Sequence, residues 1–280
     1  MIHEQIEKVS AFKRLHSSSS KLLILPNAWD VGSAKAMQNC GFESIGTTSA
    51  GIAYSKGFAD GERISFEDML SSVRAIVESV DVPVTVDMEN GYSNDLTIVG
   101  ENVRRIMNTG AVGINIEDGD PSRLKLEDVI IQAKKIEAVK RAALSEGIPL
   151  FINARIDTYW LKDIEIADRF AGTVDRAKVY IEARADGIFV PNISDLSLMR
   201  KLVEMISVPI NVLAGIQTPP SHEVAETGVK RISMGSGMYR AIYSYIQQIC
   251  LELKHEGSIA SYLKQAVPYL DMNDQINRGR

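Results

Sequence analysis

Three apolar runs in this sequence end in acids. Asp87 and Glu89 close "VPVTVDMENG", Glu117 and Asp118 close "VGINIEDG", and Asp157 follows Asn153 and Arg155 in "PLFINARID". Residues two apart on a strand point to one face, so Asp87 pairs with Glu89, and Asn153, Arg155 and Asp157 share a side. Charge at the end of a buried run is costly unless something compensates it. Crowded carboxylates either raise one another's pKa or bind a cation. A ligand set of oxygens, without His or Cys, suits a hard ion such as Mg²⁺ or Mn²⁺. Mg²⁺ takes few carboxylates directly and keeps waters. At most one or two of these carboxylates would therefore touch the ion directly, and the rest would reach it through water. Arg155 is the expected clamp for a substrate carboxylate, through paired hydrogen bonds. Each residue also has a plainer reading as a rim ion pair or a turn, and the convergence on one face is what favours a site.

The elements that must position these groups are legible as alternation. Strand-like runs lie at 22–26, 44–49, 82–88, 112–118, 149–155, 187–191, 208–213 and 230–235. Helical spacing separates them, as in "SFEDMLSSVRAIVESV", where Phe66, Met69, Leu70, Val73, Ile76 and Val77 fall on one face and Ser65 with Asp68 forms a capping signal. Strand–helix repeats imply a parallel sheet. Eight of them predict a closed (β/α)8 barrel of TIM type, and no G-x-G-x-x-G supports a dinucleotide fold. The expected layout is one domain over 1–280: an N-terminal helix packed outside the barrel with a hinge (1–20), the barrel (21–240) and extra C-terminal helices (241–280). Active sites of such barrels lie at the carboxyl ends of the strands. That adds Ser49, Ala50 and Gly51, the loop to Asp60, Asn192, and Asn211 on the seventh run. Glycine at 51 would allow close backbone approach to a ligand.

Bulk properties narrow the partners. The chain has 280 residues, 45% hydrophobic and 24% charged, with a net charge of −5 and no basic block, which argues against nucleic acid or an anionic membrane. The N-terminus lacks a signal-type apolar core, and no apolar run approaches the roughly 18 residues of a membrane span. Two cysteines, Cys40 and Cys250, make no disulfide framework. The expectation is a cytoplasmic enzyme. His3, His16, His222 and His255 lie outside the predicted strand ends, and no run ends in lysine, which disfavours a histidine-based metal hydrolase and a Schiff-base aldolase.

The segments "LPNAWDVGSAKAMQNCGFESIGTTSAGIAYSKGFADGE", "VDMENGYS", "GINIEDG", "NARIDT", "GIFVPN" and "PINVLAG", in this order, resemble the isocitrate lyase / phosphoenolpyruvate mutase superfamily from about Leu22 to Arg240. The resemblance implies a barrel whose last helix is swapped between subunits of a homodimer or homotetramer. It implies C–C or P–C bond chemistry beside a 2-oxo carboxylate, with Mg²⁺ holding the substrate. It assigns substrate oxygens to Ser49, Ala50 and Gly51, the principal metal position to Asp87, and acidic positions to Asp60, Glu89 (where aspartate is common) and Glu117. Arg155 would grip the substrate carboxylate, and Asn211 would be a polar substrate contact. Asp60, Arg155 and Glu117 thereby become the catalytic candidates. The chain departs from the lyases after Glu117: "EDGDPSRLKLEDV" has neither their Cys nor their His, and Gly119 stands where phosphonate-handling members place Lys. It looks closest to less characterised, mutase-like members.

The reaction expected from this is Mg²⁺-dependent C–C cleavage of a small carboxylate through a stabilised enolate, either oxaloacetate-type decarboxylation or retro-aldol cleavage of a substituted malate or methylisocitrate-like acid. A phosphonomutase or phosphonopyruvate hydrolase, with Arg123 and Lys125 as nearby cations, and a non-catalytic 2-oxo-acid-binding barrel are the alternatives. Tyr54 and Asp120 are candidate bases, and 119–128 a candidate lid.

Overall fold

The computed structural model describes residues 2–17, 21–120, 125–161 and 169–278. In chain order it runs α1 (Ile2–Ser17), β1 (Leu23–Leu25), β2 (Asn27–Ala28), α2 (Val31–Asn39), β3 (Ile45–Thr47), α3 (Ser49–Ser55), α4 (Phe66–Glu78), β4 (Val84–Asp87), α5 (Leu96–Met107) and β5 (Gly113–Glu117). A small ribbon, β6 (Gly119–Asp120) and β7 (Lys125–Leu126), precedes α6 (Val129–Ser145), β8 (Phe151–Arg155), α7 (Arg169–Glu182), β9 (Gly187–Val190), α8 (Leu196–Met205), β10 (Ile210–Leu213), α9 (Ser221–Glu226) and β11 (Arg231–Ser233). The chain ends in α10 (Gly237–Glu256), α11 (Ala260–Leu263) and α12 (Tyr269–Asn277).

All eight predicted strands are present. The first is split by Pro26, which has no N–H to give a ladder: β1 pairs with β11 and β2 with β3, all in parallel. Around the ring follow β4, β5, β8, β9, β10 and β11, so the α/β TIM-type barrel is nearly closed. The helices bury the predicted stripes: α4 turns Met69, Leu70, Val73 and Ile76 inward, and its cap is Ser65, which accepts from the Asp68 N–H and donates to the Asp68 carboxylate at 2.6 Å. The helix α7 ends without a glycine turn. Arg184 takes the left-handed turn (φ 77°), while Gly187 opens β9 because a Cβ there would stand 3.0 Å from the Phe151 ring.

The N-terminal helix covers the amino-terminal end of the barrel. Gln5 donates to the carbonyls of Met107 and Ala111, Phe12 meets Phe151 edge-on, and His16 stacks on Phe151 at 4.3 Å. Of the expected hinge, 18–20 lie outside the described residues. The barrel interior is polar. Asn115 accepts from Asn153 and Arg231, and Arg231 also donates to Ser233, which donates to Asn211. Arg231 is 1% exposed, and burial pulls its guanidinium down to about 9. No described helix is long and apolar enough to cross a membrane.

Candidate active site

The acids gather at the carboxyl end of β4, β5 and β8, as strand periodicity requires. Asp87 ends β4, and its Oδ2 accepts from Ser49 Oγ (2.9 Å) and Ser49 N (3.3 Å). Ser49 Oγ also lies 3.3 Å from Asp60 Oδ1, so one hydroxyl joins two acids. Although the Asp60 residue is exposed on its loop, its carboxyl turns inward: its own desolvation and then the Asp87 charge hold it above the usual range, against Arg155.

Ser49 corrects one expectation about the local backbone. The second strand stops at Thr47, Thr48 caps α3, and Ser49, Ala50 and Gly51 form its first turn instead of a strand end. The Gly51 N–H is taken by Thr48 Oγ1 at 3.3 Å. Glycine there also has a packing reason, because a Cβ would stand 2.6 Å from Thr48 Cγ2 and 3.0 Å from Trp29 Cβ.

Glu89 is buried two residues beyond Asp87 in a left-handed conformation (φ 51°). It accepts from the Glu62 N–H at 2.6 Å and from the Tyr92 hydroxyl at 3.0 Å. Burial, then Asp60 and Asp87, push its carboxyl up to about 8.

Arg155 is held from two sides. Nη1 lies 2.6 Å from Glu117 Oε2, and Nε and Nη2 donate to Asp157 at 2.7 and 3.1 Å. The Trp160 and Phe189 rings flank the guanidinium at 5.3 and 5.7 Å. Two buried carboxyls thus share one cation. Burial raises both, Asp157 to about 6 and Glu117 well above the carboxylate range. Asp157 closes the face predicted for it, though beyond the strand.

Two expected neighbours stand elsewhere. Asp118 faces the helix layer, where it accepts from Arg176 (3.0 Å), the Tyr180 hydroxyl (2.7 Å) and the Asp157 N–H (2.8 Å). Asn211 is 2% exposed inside the barrel beside Ser233 and Arg231, with no described bond to the acids. Asn192 donates to the Tyr159 carbonyl. Within the expected lid, β6 and β7 pair as an antiparallel ribbon; 121–124, with Arg123, lie outside the described residues. Tyr54 stands near Asp60 and Arg240, and burial with the Asp60 charge raises its hydroxyl, which makes it a poorer base.

Sequence reasoning missed Glu62, Lys135 and Arg176. Glu62 accepts from Asn90 N (3.1 Å) and Tyr92 N (2.8 Å), and buried Lys135 of α6 donates to Asn90 O (3.2 Å) and to Asn90 Oδ1. Asn90 donates in turn to the Glu117 carbonyl at 2.9 Å. None of the three lies at a strand end, so periodicity carried no signal for them.

The donor set fits a hard divalent cation. Asp60, Asp87, Glu89 and Glu117 are oxygen donors whose charges act on one another, and the surplus negative charge has Arg155 as its paired cation. Asp87 Oδ1 has no hydrogen-bond partner among the described residues. No three of His, Cys, Asp and Glu among those residues converge as a ready ligand set.

Residues 12–254 match the family model of phosphoenolpyruvate phosphomutase. The chain is 35% identical over 254 residues to an uncharacterized protein of Mycobacterium tuberculosis, covering 90% of this chain and 91% of that one. It is 25% identical over 258 residues to 2-methylisocitrate lyase of Salmonella typhimurium, covering 89% and 85%. Among solved structures it is similar to a candidate lyase/mutase of Burkholderia cenocepacia, with a TM-score of 0.90, 30% identity, and 99% and 98% of the two chains covered.

Proposed function

We propose that this chain, which belongs to the phosphoenolpyruvate phosphomutase family and so to the isocitrate lyase / phosphoenolpyruvate mutase superfamily, is a divalent-metal-dependent lyase that cleaves a C–C bond beside a 2-oxo or 2-hydroxy carboxylate. The observation that carries C–C over P–C chemistry is at Gly119. A Cβ there would stand 2.1 Å from Asp157 Oδ2 and 2.9 Å from Asp157 Cβ. A buried carboxylate thus fills the space of any side chain at 119, at the place where phosphonate chemistry would want a cation. Cleavage of a carbon skeleton leaves charge at one enolate and has no phosphonyl group to neutralise.

The residues then have defined work. Asp87 would hold Mg²⁺ or Mn²⁺, with Asp60, Glu89 and Glu117 reaching it through water. When bound, the ion supplies Lewis-acid stabilisation of charge developing on the substrate's 2-oxygen. Ser49 Oγ holds Asp87 and Asp60 in register. Of the five guanidinium N–H groups, Arg155 commits three to Glu117 and Asp157, which leaves one on each Nη for a substrate carboxylate. Glu117, whose carboxyl is raised by burial and lies 2.6 Å from Arg155, is the group proposed to exchange a proton with the substrate. Trp160 and Phe189 wall the guanidinium and strengthen its bonds by excluding water.

Assembly as a homodimer or homotetramer is supported by α10, which buries none of its residues and exposes Ile242, Tyr243 and Ile246.

The test is parallel ¹H and ³¹P NMR of the protein with Mg²⁺ and oxaloacetate, substituted malates, methylisocitrate or phosphonopyruvate. The reading predicts a 2-oxo acid released from one of the carbon acids and no change in the phosphonate. Turnover of phosphonopyruvate alone would overturn it.

A further inference from the structure

We propose that Glu62 is a positioning residue of this site. It clasps the Asp60 loop to the loop after β4 and so fixes Asp60 and Glu89 beside Asp87; the proposal rests on the metal-site reading above. The clasp is reciprocal. The Glu62 N–H donates to Glu89 Oε2 at 2.6 Å, and Glu62 Oε1 accepts from Asn90 N at 3.1 Å and Tyr92 N at 2.8 Å. The Tyr92 hydroxyl closes the circuit on Glu89 Oε1 at 3.0 Å. Hydrogen bonds to a charged acceptor are the strong kind, and here one carboxyl oxygen gathers two backbone donors.

Backbone geometry shows why a clasp is needed. Glu62, Glu89 and Tyr92 all hold the left-handed conformation, at φ 55°, 51° and 59°. Each such non-glycine residue carries backbone strain and persists only where its surroundings over-determine it. The Asp60 loop is also soft on both sides, with Gly57 at φ 81° and Gly61 at φ 94°. Without the clasp, Asp60 is tied to the barrel by its 3.3 Å contact with Ser49 Oγ. The extra methylene of Glu89 over aspartate lets its carboxyl reach the Glu62 N–H on the neighbouring loop while its charge still bears on the acids of the mouth. A clasp of this kind explains why a longer acid stands at 89.

The experiment compares wild type, Glu62→Gln and Glu62→Ala by Mn²⁺ calorimetry and by hydrogen–deuterium exchange. Alanine and glutamate pay the same backbone strain at φ 55°, so the comparison isolates the side chain. Glu62→Ala should weaken Mn²⁺ by about 10–100-fold, the usual loss for an outer partner of a metal site, and should speed exchange in 57–64 and 88–92 only. Glu62→Gln, which keeps Oε1, should retain most of both. Unchanged Mn²⁺ affinity or unchanged exchange in Glu62→Ala would overturn the proposal. If wild type binds no Mn²⁺, the metal reading falls, and the exchange of 57–64 alone decides whether the clasp exists.

Discussion

Arg155 Nη1 lies 2.6 Å from Glu117 Oε2 while the same guanidinium holds Asp157 through two bonds. A single cation therefore bridges two buried carboxyls, one at the end of β5 and one two residues beyond β8. Removing one partner of such a buried set leaves uncompensated charge and costs about 3–5 kcal/mol. Arg155→Met should lower stability by that order in urea unfolding at pH 7. The loss should shrink toward pH 5, where Asp157, raised to about 6, is free to take a proton.

Gly119 gives a second prediction. Any side chain there must displace Asp157, which is 1% exposed and held by Arg155. Gly119→Ala should destabilise by about 1–3 kcal/mol, the usual range for overpacking. An equal urea midpoint for wild type and variant would mean that Asp157 moves freely, and the argument against a cation at 119 would weaken.

The eight strands, the α4 cap and the acids at the ends of β4 and β5 were legible because each follows from local chemistry: period-two apolar runs, a Ser–Asp capping pair, and charge at a run's end. Ser49 was assigned to a strand end because "SIGTTS" is β-rich, yet Thr48 caps a helix by accepting from Gly51 N, and tertiary context decided it. Asp118 sits one residue after Glu117, and alternation turns it to the opposite side, toward Arg176 and Tyr180. The partners of the site are distant in sequence: Glu62 lies on a loop 27 residues before Glu89, and Lys135 on a helix 45 residues after Asn90, separations that no local pattern encodes.

His16 makes the stability pH-dependent away from the mouth. A carbonyl can only accept, so Nδ1 carries the proton given to Phe12 O at 2.9 Å, and Nε2 is buried without a partner among the described residues. Burial, with Arg231 nearby, lowers the folded pKa from 6.5 to about 3. Between those values the unfolded chain binds the extra proton, so this contribution is present above pH 6.5 and is lost as pH falls toward 3. From pH 7 to pH 5, wild type should lose about 2 kcal/mol more than His16→Phe. Parallel pH profiles would contradict the neutral buried ring.

Glu89 sets the opposite sign. Its folded pKa of about 8 exceeds the ordinary 4.5, so the metal-free protein loses this contribution as pH rises through that window. A cation bound in the mouth would displace the proton. Mg²⁺ affinity should rise from pH 6 to pH 8, with proton release seen as a dependence of calorimetric heat on the buffer's ionisation enthalpy. A Glu89→Gln variant should show less of that dependence.

The central claim is that Asp87 and Arg155 hold a 2-oxo carboxylate together with a divalent cation. Oxalate, a planar dianion with the oxygen spacing of a 2-oxo acid's enolate, tests it most directly by Mn²⁺ water-proton relaxation. The account predicts that oxalate binds with Mn²⁺ present and at least about 10-fold more weakly without it, as expected where an ion carries the charge stabilisation. Asp87→Asn should abolish the Mn²⁺ signal, and Arg155→Lys should keep the metal but weaken oxalate. Oxalate binding that ignores both Mn²⁺ and the Asp87→Asn change would contradict the account.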